Sequence, residues 1–368
     1  MITVSDALQI VLDRPYQVEA VRLPLAGALG RVLLQDARAD VDSPPFDASA
    51  MDGYALRRAD ITGSLRIAGE SSAGGAYAGR VEPGECVRIL TGAPVPPGAD
   101  CVVKQEDVVR EGDRIKVQRM DGPSFIRRQG ENRRQGEVVV RAGTRLEPPE
   151  LAALASAGIE QPVVARVLRC AHLVTGNELV PPGQRPTGSQ IRDSNSTLIA
   201  ALLQRLGAEL VAQARMTDDL AKARAAVEVM AAHDVLFISG GASVGDRDIA
   251  RPLLEALGYK LHFQEVNLRP GRPLVFASNG PRLAFALPGN PVSHWVVFQL
   301  FVAPLLRQLE TGVPGALIRL KGRLAVGGRM PPPDSRATYW PCAAAVVEGT
   351  YELTLLPLAS SGDSSGLV

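Results

Sequence analysis

Long apolar runs are missing from this 368-residue chain. The most apolar window, "HWVVFQLFVAPLL" (294–306), is too short to cross a bilayer and carries Gln299 and Pro304, so it predicts a buried helix. The opening "MITVSDALQI" lacks the basic start and apolar run of a signal peptide. Aromatics make up only 4%, too few for a base-stacking surface. Forty basic against thirty-nine acidic residues leave no one-signed field to draw nucleic acid. Cys86, Cys101, Cys170 and Cys342 form no C-x-x-C pair, which argues against a disulfide framework or a structural zinc. His172, His233, His262 and His294 fall in unrelated segments with no H-E-x-x-H, and each reads as a packing or surface residue. These exclusions leave a soluble cytoplasmic protein with no membrane or nucleic-acid partner. Its length asks for two to four domains.

What is present changes texture along the chain. "SDALQIVL" is a capped amphipathic pattern that gives way to extended chain after Pro15. From about 41 to 146, Val/Ile runs such as "ECVRIL" and "RIKVQ" alternate with Gly/Pro turns, the signature of a small all-β module. "EPPELAALASAGIE" (147–160) predicts a helix with Pro148-Pro149 in its first turn and Gly158 as its stop. From about 163 to 310, strands and helices alternate, which predicts a doubly wound α/β sheet with ligands beyond its carboxyl-terminal edge. A second β-rich stretch begins at 314. The fold class expected is multi-domain α/β plus β.

Three glycine-bearing loops fall at predicted strand ends. In "ISGGASVGDRD" (238–248), Gly240-Gly241 lets main-chain N–H groups approach an anion, with Ser239 and Ser243 as hydroxyl donors. Asp246 and Asp248 follow; they read either as ligands of a divalent cation or as solvated acids of a turn. The loop is neither a Walker A motif nor a G-x-G-x-x-G. "LVTGNEL" repeats the logic with Glu178, and "LPGNPVS" with Asn290. "NLRPGRP" places Arg269 and Arg272 on a Pro/Gly turn, an oxyanion clamp. "FIRRQGENRRQGE" (125–137) reads as a solvated hairpin and "RILTGAPVPPGADCVV" (88–103) as a turn-rich strand pair. In "SPPFDASAMDGYA" (43–55), Pro44-Pro45 excludes helix and Asp52-Gly53 can turn into a strand, so by themselves Asp47 and Asp52 are surface-turn acids.

Together with "QIRDSN" and "AGTRLEPPELAALASAGI", and in their order along the chain, these segments resemble the molybdopterin molybdenumtransferase family, the MoeA-like proteins and the enzymatic domain of gephyrin. The resemblance implies a homodimer of four-domain subunits: a linking domain (1–41 and 142–164), a β-rich insert (42–141), an α/β domain (165–312) and a C-terminal β domain (313–368) that in the family continues past Val368. It implies insertion of molybdate into adenylylated molybdopterin with release of AMP, aided by Mg2+, between an upstream molybdopterin adenylyltransferase and acceptor molybdoenzymes. Carried onto this chain, the catalytic residues are Asp52, Glu178, Asp218, Asp248, Arg269 and Arg272. Asp52, Glu178, Asp246 and Asp248 are the implied metal ligands. The pterin nucleotide falls to Thr91, Thr175-Gly176, Asp193-Ser194-Asn195, Ser239-Gly240-Gly241, Ser243 and Pro288-Gly289-Asn290-Pro291. The partner subunit would complete the cleft, with Asp52 its contributed acid.

Three departures from the family pattern stand out. Asn177 and Asn132 replace acids, and Arg269 and Arg272 replace lysines, keeping charge in a forked geometry. Each Asn removes a negative charge from a site where every reactant is anionic; at ~4 Å and an effective dielectric of ~20, a like-charge pair costs roughly 4 kcal/mol. A pterin-nucleotide carrier without catalysis is the rival reading. A nicotinamide oxidoreductase is disfavoured by the absent glycine fingerprint.

Overall fold

The computed structural model describes residues 1–14, 19–120, 122–217, 220–240, 249–313, 315–326, 328, 330, 334–356, 360 and 362, the side chain of Lys222 excepted. Helix α1 (Val4–Leu12) opens at Thr3, whose hydroxyl accepts from the Asp6 N–H. Its buried Val4, Ala7 and Val11 recur at helical spacing and pack into the core of the α/β sheet.

The β module is one sheet of β1 (Gly53–Leu56), β2 (Ser64–Ser71), β3 (Glu85–Ile89), β4 (Cys101–Lys104), β5 (Val108–Glu111) and β6 (Arg114–Val117). Its order is β4-β1-β3-β2-β6-β5. All four residues of β1 are buried, and β1 takes an inner place between β3 and β4. The stretch 88–103 is therefore not a strand pair, since its two strands flank a third. Nor is 125–137 a hairpin: Ile126–Arg127 pairs antiparallel with Ala48–Ser49, folding this segment onto the 43–49 stretch. The thiols of Cys86 and Cys101 lie in the module's core, and burial pushes both up to about 12. All four cysteines are free.

Chain entering and leaving the module builds a second small core. Ala20–Arg22 pairs with Val163–Ala165 and Ala37–Arg38 with Val138–Val140. Helix α2 (Pro148–Ser156), opened by a Glu147/Glu150 capping box, adds Leu154 to Leu33, Leu146 and Val164.

The central unit comprises β7 (Arg169–Thr175), α3 (Asn195–Arg205), β8 (Glu209–Met216), α4 (Leu220–Met230), β9 (Val235–Ser239), α5 (Ala250–Ala256), β10 (Lys260–Glu265), β11 (Pro273–Asn279), β12 (Arg282–Leu287), α6 (Pro291–Val297) and α7 (Ala303–Thr311). The sheet order is β8-β7-β9-β12-β11-β10; β8, β7, β9 and β12 run parallel, and the last two pairings are antiparallel. Helices α1, α3, α6 and α7 cover one face, where Phe237, Phe276 and Phe285 stack. Helices α4 and α5 cover the other, against small residues such as Ala171, Ala277 and Ala284. Truncating any of those three phenylalanines would cost about 3–5 kcal/mol. The predicted buried helix at 294–306 is present, with a π turn at Phe298–Val302 before Pro304, which has no N–H to donate.

The C-terminal segment forms a three-stranded sheet from Gly322–Leu324, Cys342–Val347 and Thr350–Leu355. It joins the central unit where Leu268–Arg269 pairs in parallel with Ala337–Thr338.

Candidate active site

Strands β7, β9 and β12 end side by side, bringing three of the expected loops together. Gly240 has φ +84, and a Cβ there would collide with the Thr175 carbonyl oxygen, so this turn requires glycine. A Cβ on Gly289 would lie 3.9 Å from the Gly240 Cα, so the loops after β9 and β12 nearly touch. The Asn195 side-chain N–H donates to the Gly289 carbonyl at 2.6 Å, tying α3 to the same point. Asp193 caps α3 by accepting from the Ser196 N–H, whereas the Ser194 side chain makes no capping bond. Asp193 also lines a cavity of about 580 Å³ beside α3. Pro291 occupies the first turn of α6. Glu178 is exposed, with its carboxylate against Gly176.

Beneath these loops lies a buried polar layer that the sequence did not reveal. His172 and His294 are fully buried, and burial pushes both down to about 3, with the nearby His172 adding to the shift of His294. Both are therefore neutral near pH 7. Among the described residues, Thr175 Oγ1 and Asn195 Oδ1 find no hydrogen-bond partner, and the His294 ring meets only the Pro288 main chain, outside good hydrogen-bond geometry. Such buried orphans are costly unless a ligand or water satisfies them. A histidine inside the apolar run "RCAHLVT" was the one local signal of this layer.

A second cleft, about 350 Å³, adjoins this one through Asn290. Arg269, Arg272 and Arg336 line it, with Ser293 and Thr338. Gly271 bends between the first two at φ +112, where a Cβ would come within 2.7 Å of Val297. Each guanidinium is backed by a carboxylate. Arg269 donates to Asp334 at 2.8 Å, Arg336 donates to both Asp334 oxygens at 3.0 and 3.1 Å, and Arg272 donates to Glu265 at 3.0 Å. Arg336 first, then Arg269, holds the Asp334 carboxyl well below the usual carboxylate range. Three arginines against two carboxylates leave the cleft net positive, suited to a compact oxyanion. Ser293, Arg336, Thr338 and Asp334 escaped the sequence reading.

Asp52 and Thr91 bond to each other in the β module. One Asp52 oxygen accepts from both the Thr91 hydroxyl and N–H, which lowers its pKa. Asp47 accepts from Arg128 and from the Gln129 N–H, and Asn132 accepts from Arg127 at 3.0 Å. Asp218, Gly241, Ser243, Asp246 and Asp248 lie outside the described residues. Among the described residues no three acidic, His or Cys side chains converge as a metal site.

Two family models together match most of the chain. Residues 2–158 match the model of the MoeA N-terminal region (domain I and II), and residues 171–308 match that of a probable molybdopterin binding domain. The chain is 35% identical over 316 residues to a molybdopterin molybdenumtransferase of Haemophilus influenzae, covering 84% of this chain and 78% of that protein. A protein of the same name from Nostoc sp. is 34% identical over 375 residues, 96% of this chain and 84% of its own. Among solved structures, a molybdopterin biosynthesis MoeA protein from Pyrococcus horikoshii superposes with a TM-score of 0.81 at 28% identity, over 100% of this chain and 93% of that one.

Proposed function

The chain belongs to the molybdopterin molybdenumtransferase family, and from that premise we propose that it inserts molybdate into adenylylated molybdopterin and releases AMP. One observation carries the reading: the 288–291 loop serves both sites, since Gly289 meets Gly240 at the strand ends while Asn290 lines the arginine cleft. The strand-end loops receive the pterin nucleotide. Molybdate, a tetrahedral dianion, sits among Arg269, Arg272 and Arg336, with Asn290 and Ser293 as neutral donors. The guanidiniums hold it by charge-assisted hydrogen bonds, and their carboxylate partners fix the direction of each fork.

Asp52 spends one oxygen on Thr91 and keeps the other for a hard cation, which fits Mg2+. Glu178, Asp246 and Asp248 complete the proposed oxygen ligands; when bound, the cation polarises a phosphoryl oxygen. Because Asp52 and Thr91 belong to the β module and the glycine loops to the α/β unit, the working cleft is assigned to two subunits of a homodimer. The protein acts in the cytoplasm, between an adenylyltransferase and the molybdoenzymes that accept its product; no helix among the described residues is long and apolar enough to cross a membrane.

The deciding experiment supplies adenylylated molybdopterin, molybdate and Mg2+ and measures AMP and active cofactor. Release of AMP with cofactor formation is expected. Tight binding of an unchanged nucleotide would identify a carrier instead.

A further inference from the structure

A hydrogen-bond chain runs from the exposed Gln213 into the buried polar layer, and its polarity can be worked out. Gln213, on the edge strand β8, places its side-chain nitrogen 3.0 Å from the Ser196 carbonyl oxygen. A carbonyl can only accept, so that atom is the amide nitrogen and not the amide oxygen. The same nitrogen lies 3.0 Å from His172 Nδ1 and directs its second proton there. Nδ1 is therefore an acceptor. A neutral imidazole that accepts at Nδ1 carries its proton on Nε2. Nε2 lies 2.8 Å from Ser239 Oγ, so the ring donates and the serine accepts. Among the described residues no acceptor for the Ser239 proton is seen. Ser239 is the last residue of β9, immediately before Gly240, in the layer that also holds His294 and the orphaned Asn195 Oδ1.

We propose that Gln213 and His172 are positioning residues that hold the Ser239 hydroxyl as a committed hydrogen-bond donor at the glycine loop. Gln213 fixes the ring tautomer from the edge of the sheet; His172 transmits that choice across β7; Ser239 offers the resulting donor to an acceptor of the pterin nucleotide. The burial that keeps His172 neutral maintains the chain through the working pH range. The ligand half of this assignment rests on the function proposed above, while the tautomer half stands without it.

Nitrogen-15 NMR of the full chain, labelled at its four histidines, reads the tautomer directly in the free protein. His172 is expected to show a protonated Nε2 and a bare Nδ1; a bare Nε2 overturns the proposal whatever the protein binds. Affinity for adenylylated molybdopterin is then measured on Ser239→Ala and Gln213→Glu beside thermal melts. Ser239→Ala should weaken binding about tenfold, the worth of one neutral hydrogen bond in a buried site. In Gln213→Glu, affinity should follow the Nε2 proton. A ring protonated only at Nδ1 forces Ser239 to donate back to it and loses about tenfold, and a doubly protonated ring keeps wild-type affinity. Affinity that ignores the Nε2 proton, or full affinity in Ser239→Ala, sinks the donor role. Wild-type protein that binds no pterin nucleotide would refute the proposed function, and the NMR result would still judge the tautomer.

Discussion

The hydroxyl and the main-chain N–H of Thr91 both donate to a single oxygen of Asp52, each at 2.7 Å. The carboxylate is thus tied at an exposed turn by one oxygen, and among the described residues no hydrogen bond to the other is seen. Nothing in packing calls for that arrangement, because both residues are exposed.

Asp52→Asn should leave the melting temperature unchanged and lower AMP release at least tenfold. Thr91→Val keeps the main-chain bond but removes the hydroxyl, and a loss of about tenfold is expected from one charge-assisted bond. Normal turnover in Asp52→Asn would return the residue to an ordinary surface turn.

Stability should begin to fall below pH 6.5, before the carboxylates titrate. His172 and His294 have folded pKa values near 3 against an ordinary 6.5, so below 6.5 the unfolded chain binds protons that the folded chain refuses. Each residue then costs about 1 kcal/mol per pH unit until about pH 3. Asp47 and Asp334 are depressed relative to 3.8, so their stabilisation is intact above that value and is lost as pH falls through their lowered folded values. Urea titrations at pH 7, 6 and 5 would check the order. His294→Leu should flatten the slope between 6.5 and 4, to which His172 and the half-buried His262, also held below its ordinary value by burial, still contribute, and an unchanged slope would mean that His294 does not carry it.

Arg145 joins the returning chain to α7 by a paired contact with Glu310, a carboxylate only 12% exposed, while also donating to the Gly30 carbonyl. Glu310→Gln should destabilise the protein by about 1 kcal/mol or somewhat more, since its oxygens are less solvated than those of a surface pair. Denaturant midpoints read the effect; no change would class the contact with ordinary surface pairs.

The Asn pair invites a charge test. Asn132 accepts from Arg127, which also donates to Glu131 at 2.9 Å, so an acid at 132 would share that guanidinium. The double variant Asn132→Asp, Asn177→Asp should need less Mg2+ and more molybdate for half-maximal AMP release, because it adds hard oxygen ligands and negative charge together. Requirements that move in the same direction, or not at all, would place both residues away from the ionic site.

Local pattern carried much of the architecture and only part of the site. "DVLFIS" before "GG" announces a buried strand and its loop because both signals are local. The parallel ends of β7, β9 and β12 then follow from strand–helix alternation. Arg336 and Asp334 were invisible, because a two-residue pairing between Leu268–Arg269 and Ala337–Thr338 brings them to Arg269 across more than sixty residues of chain. The histidines read as unrelated since their segments are distant, yet sheet register and helix packing gather two of them into one layer. The 125–137 segment resembled a hairpin because mixed charge and glycine describe any solvated turn, and its true partner lies some eighty residues earlier.

That short seam has a thermodynamic consequence. Two guanidiniums of the arginine cleft belong to the α/β unit and the third to the C-terminal segment, so an oxyanion held by all three, as proposed, would also be an adhesive between the two parts. Linkage makes the relation reciprocal: whatever tightens the seam tightens the anion, and the anion must in turn protect the seam. Amide hydrogens of Ala337 and Tyr339, which donate to Asn267 and Arg269 carbonyls across the junction, should exchange more slowly as molybdate is added.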